Sequence, residues 1–144
     1  MSRPEGTTTR TSPAIAGVWA LFVAFALLQV GNGLQRILLP IRGEAEGISA
    51  GAMGMVMAFH FGGYLIGAKV ITRALAAVGH IRVFAALAST ASAAVLINAV
   101  IVTPLSWSLV YLISGICNAG VFVVLESWLN DRSSNETRGK ILGL

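Results

Sequence analysis

Gln29, Asn32 and Arg36 stand at i, i+3 and i+7 in a stretch otherwise made of apolar and small residues. On a helix this spacing puts all three on one face, where two amides and a guanidinium could line a cavity and hydrogen-bond a polar solute. Tyr111, Ser114 and Asn118 repeat the pattern at spacings of three and four, with Glu126 about 80° further round at 100° per residue. His60 stands alone in an apolar block, where an imidazole could relay a proton or donate a hydrogen bond to a substrate. Polar side chains in so apolar a setting are costly and by default face an interior or a water-filled path. Blander roles compete with each of these. Gln29 and Asn32 could make interhelical hydrogen bonds worth about 0.6 kcal/mol, Arg36 could snorkel to an interface, and His60 reads first as a packing or hydrogen-bonding residue. Glu126 could carry a proton or bind a cation, but Trp128 beside it marks an aromatic belt. That favours pairing with Arg82, Arg132 or Arg138 at an inner gate.

Composition says what must hold these groups. Of 144 residues, 56% are hydrophobic and 11% charged, with a mean hydropathy of +0.79; soluble domains carry about 25% charged residues. The apolar residues come as four long blocks, 14–34, 48–68, 83–102 and 105–125, and no charged residue occurs from 83 to 125. About 20 apolar residues cross a bilayer core about 30 Å thick, so each block is a candidate span. Lipid admits only helices or closed barrels, and the short alternating segments of a barrel are absent. The expectation is an all-α transmembrane bundle with spans at about 14–34, 48–68, 83–102 and 105–129, after a loose polar tail over 1–13. Gly31, Gly33, Pro40 and Gly43 punctuate a connection after the first span, and Pro104 marks a tight turn between the third and fourth. Gly63 and Gly67 form a GxxxG pair, the mark of close helix contact in lipid.

The net charge of +4 is scattered over loops and ends, with no basic stripe, so nucleic acid is not an expected partner. With a cytoplasmic N-terminus, the inner set is Arg3, Arg10, Lys69, Arg73, Arg82, Arg132, Arg138 and Lys140, and the outer set only Arg36 and Arg42. This follows the positive-inside rule. Cys117 is the single cysteine, and His60 and His80 fall on different elements, so neither a disulfide nor a metal site is expected. No nucleophilic triad, phosphate-binding glycine loop or carboxylate pair is present. The chain therefore reads as a non-enzyme without a cofactor.

A cytoplasmic tail, a basic loop between helices 2 and 3, a short turn between 3 and 4, and a charged loop ending in Arg138 and Gly139 together form a recognisable layout. It resembles the N-terminal half of a major facilitator superfamily transporter, from about Ala14 to Leu144. In the family's 2 to 3 loop motif, Gly79, His80 and Arg82 match the second half, whereas the acidic position falls on Ala76 and its arginine on Ala77. The run SGICNAGVFVVLESWLND, from Ser114, is similar to helix 4 and its exit in bacterial members. No arginine lies in this helix, unlike many proton-coupled drug exporters.

The resemblance implies a secondary transporter working by alternating access in a bacterial cytoplasmic membrane, with helices 1 and 4 lining the path. Its expected partners are a small-molecule substrate, a coupling proton or other ion, the lipid bilayer and a C-terminal half. A fifth span starting about 139 points to a chain that continues past Leu144. Two alternatives are a complete four-helix dimeric exporter of the small multidrug type and a non-transporting membrane scaffold. The first lacks its usual glutamate in helix 1, and the second gives no reason for polar stripes on helices 1 and 4.

Overall fold

The computed structural model of the chain describes residues 13–132, with side chains from 19 to 130. Residues 1–12 of the tail expected over 1–13, Arg138, the helix start near 139 and the side chain of Arg132 lie outside the described residues. Four helices follow in order: α1 (Pro13–Ala45), α2 (Ala50–Val78), α3 (His80–Val100) and α4 (Pro104–Arg132). Each is long and apolar enough to cross a membrane, and no strand occurs among the described residues.

The helix ends are set by local chemistry. Ser49 caps α2, its Oγ accepting from the Ala52 amide at 3.3 Å, which satisfies one of the free N–H groups of the first turn. Gly79 alone joins α2 to α3. Its φ of 89° lies in the left-handed region, open to glycine without a Cβ penalty, and its N–H bonds the Leu75 carbonyl at 3.0 Å. Pro104 occupies the first position of α4, where its missing N–H costs nothing. Thr103 before it accepts from the Ser106 amide at 3.2 Å.

Three boundaries differ from the sequence reading. α1 does not stop at the Gly31 to Gly43 punctuation but continues through Pro40 to Ala45. Lys69 and Arg73 belong to α2, and His80 and Arg82 to the first turn of α3, not to a loop. Apolar surroundings explain both: every backbone group there needs an internal partner, so a helix persists through residues that would end it in water.

Neighbouring helices run antiparallel, whereas α2 and α4 run parallel, with Met53 level with Trp107 through Gly43 and Ile71 level with Gly120. α4 is the hub. Within its most apolar window 67% of residues are buried, against none in α1. On α2 the buried residues Met53, Val56, His60, Gly63, Gly67 and Ile71 recur at three- and four-residue steps, one face turned to α4. Along this face the backbones nearly touch. A Cβ on Gly63 would collide with the Leu112 carbonyl, one on Gly67 would lie 2.6 Å from the Ile116 oxygen, and one on Gly115 would meet the His60 carbonyl. Gly51 and Gly54 face open space.

Apolar clusters fill both ends of this seam. Leu39, Met53, Val56, Trp107 and Tyr111 pack near the α1–α2 connection. Ile71, Val83, Leu87, Cys117, Val121 and Val124 pack towards Gly79. α1 leans on the bundle at few points, among them Phe25 edge-on to Phe122 at 5.0 Å. Its Trp19, Val23, Leu27, Val30, Leu34 and Ile41 are exposed, as an apolar stripe facing lipid would be.

Candidate functional site

Beside the apolar cluster near the α1–α2 connection, to which Tyr111 belongs, α1, α2 and α4 bring Arg36, His60 and Tyr111 together. Arg36 Nη2 lies 2.7 Å from His60 Nε2. A guanidinium has donors and no acceptor, so Nε2 accepts this bond and the proton of the neutral ring sits on Nδ1. His60 is buried. The Tyr111 ring stands 5.8 Å from the imidazole at 63°, an edge-on arrangement favoured by ring quadrupoles. Its O–H reaches the Gln35 carbonyl at 3.5 Å, a long bond by the usual range. Pro40 lies four residues after Arg36 within α1 and has no N–H, which leaves the Arg36 carbonyl without its helical donor.

The depth of this cluster gives it weight. Arg36 lies seven residues from the midpoint of α1 (Pro13–Ala45) and His60 four from the midpoint of α2 (Ala50–Val78), about 10 Å and about 6 Å at 1.5 Å rise. Both are displaced towards the α1–α2 connection. An arginine within an apolar helix is costly, so a compensating contact is expected. The described carboxylates do not provide one. Glu46 sits 3.8 Å from Arg42, Glu44 lies two turns along α1 from Arg36, and Glu126 is near the opposite end of α4.

Further buried polar atoms without hydrogen bonds are spread over α1, α3 and α4: Gln35 Nε2, Asn98 Nδ2 and Oδ1, Ser114 Oγ and Asn118 Oδ1. Most buried polar groups in proteins are bonded, so these atoms stand out. Gln35 and Asn98 also line a groove of about 600 Å³ between α1 and α3, walled mainly by leucine, isoleucine, valine and alanine.

Of the residues singled out from sequence, Arg36, His60 and Tyr111 come together, and Ser114 and Asn118 continue inward along the buried side of α4. Gln29 and Asn32 do not join them. Asn32 donates to Gln29 Oε1 at 3.1 Å, a bond within α1. Glu126 is exposed and makes no ion pair with Arg82; the one ion pair among the described residues is that of Arg42 with Glu46. Ser127, one position and about 100° round, takes the inter-helix contact instead, 3.0 Å from His80 Nε2. That bond ties the start of α3 to the end of α4, so His80 of the loop motif fastens two helices.

Sequence reasoning missed Gln35 and Asn98. An amide next to Arg36 and the lone asparagine of α3 were the available signals. Compared with known proteins, the chain matches no family model, no curated protein and no solved structure.

Proposed function

We propose that the chain forms the N-terminal part of a secondary transporter that moves a small solute across a bacterial cytoplasmic membrane by alternating access. The observation that carries this reading is the Arg36, His60 and Tyr111 cluster. It is polar, is shared by three apolar helices, and is followed along α4 by unbonded Ser114 and Asn118. Ionisable groups within a membrane mark solute or ion pathways, and substrate sites of such transporters lie near the midplane between two repeats. The helix order and the Ser114 run, similar to the fourth helix of the major facilitator superfamily, support the same reading. In this scheme α1 and α4 line the path, the N-terminus is cytoplasmic, and a second half of the chain supplies the facing wall.

The test begins with the coding DNA beyond codon 144. An open frame with further apolar segments is expected. Cells producing the whole gene product should then take up or expel a labelled solute from a broad panel, and His60→Leu should abolish that flux while leaving membrane insertion intact. A stop directly after Leu144, or full flux in the His60→Leu variant, overturns the reading.

A further inference from the structure

Arg36 is a cation in search of an anion. It is exposed beside a buried histidine, within an apolar helix, and its one hydrogen bond among the described residues goes to a neutral acceptor. That bond uses one of five guanidinium donors. The described carboxylates are out of reach: Glu44 is about 12 Å further along α1, counting 1.5 Å per residue. Gln35 Nε2, on the preceding residue of α1, and Ser114 Oγ, about one turn beyond Tyr111 on α4, are buried donors without a hydrogen bond. His60 itself is over nine-tenths buried. Its bond also orients the guanidinium, which restricts the arginine's rotamers before any ligand arrives.

Resting on the transporter reading above, we propose that Arg36, held by His60, binds the carboxylate or phosphate group of an anionic solute in the seam between α1, α2 and α4. A planar guanidinium with free parallel N–H groups suits the bidentate geometry of a carboxylate or phosphate. A cationic solute would face like charge with no carboxylate to offset it. The same chemistry would accept the phosphate of an anionic lipid headgroup, so the two sources have to be separated.

The experiment uses the full-length gene product in phosphatidylcholine nanodiscs, with benzoate, inorganic phosphate and choline as probes in calorimetric titrations. Benzoate or phosphate should bind saturably, and choline should not bind. Arg36→Gln should weaken anion binding at least tenfold, Arg36→Lys should keep part of it, and Arg42→Gln, which removes an arginine already paired with Glu46, should leave it unchanged. Equal anion binding in wild type and Arg36→Gln overturns the proposal, as does binding of choline in place of the anions. If phosphatidylglycerol added to the nanodiscs abolishes anion binding, the occupant is a lipid headgroup and the solute assignment is wrong. Flux of the bound anion in proteoliposomes separates the two readings: binding without flux removes the transporter and keeps the anion site, while choline flux without anion binding does the reverse.

Discussion

Trp107 is fully buried in the cluster with Leu39, Val56 and Tyr111, and its Nε1 donates to the Ile101 carbonyl at 2.9 Å. That carbonyl lies just beyond the end of α3, where no helical donor remains. Trp107→Phe keeps most of the packing and loses this bond, so about 1 kcal/mol of stability should go. Trp107→Ala should cost about 3 to 5 kcal/mol. Reversible unfolding in mixed detergent micelles would measure both. At this scale the sequence was informative about which residues are unusual and less so about what they touch. Arg36 and His60 were visible as polar groups in apolar blocks, but their contact depends on the relative rotation of α1 and α2, which helical periodicity within each does not encode. Glu126 does not pair with Arg82, for a related reason: one position of rotation decides whether a side chain faces α3, and Ser127 holds that place; Arg138 and the Arg132 side chain lie outside the described residues.

Between elements, the α2–α4 seam is set by glycines. Gly63→Ala or Gly115→Ala would push a methyl into facing backbone, which cannot rotate aside as a side-chain tip can, and overpacking of this kind costs about 1 to 3 kcal/mol. Gly51→Ala and Gly54→Ala, on the same helix but facing open space, should be neutral or slightly stabilising, since alanine is the better helix former. Thermal unfolding of the four variants in one detergent checks the contrast; equal effects at all four positions would contradict the seam. The GxxxG pair was legible as a contact face. Its partner was not, because small residues occur on every helix and the choice of α4 rests on complementary surfaces. The end of α1 was misplaced because glycine and proline were weighed as they act in water, where a freed carbonyl finds a new partner. In an apolar setting the helix runs on through Pro40.

For the molecule as a whole, the four helices and their order follow from the hydropathy blocks, while the orientation in a membrane rests on charge alone. Gly47 lies in the connection after α1, near Arg42, and Gly79 in the connection before Arg82. Alkaline phosphatase fused at Gly47 should be active, and a fluorescent protein fused at Gly79 should fluoresce, each marking opposite faces of the bilayer. The reverse pattern would invert the molecule. The close approach at Gly63 and Gly115 also has a mechanical meaning. Sliding α2 along α4 would drive one main chain into the other, so the pair behaves as a single strut with its relative degrees of freedom removed. α1 bears on that strut at Phe25, Arg36 and Gly43, and Pro40 interrupts its hydrogen-bond ladder between the last two. The soft coordinate of the fold is therefore a tilt of α1 against a fixed axle, and the contact of Arg36 with His60 is one that such a tilt would open or close.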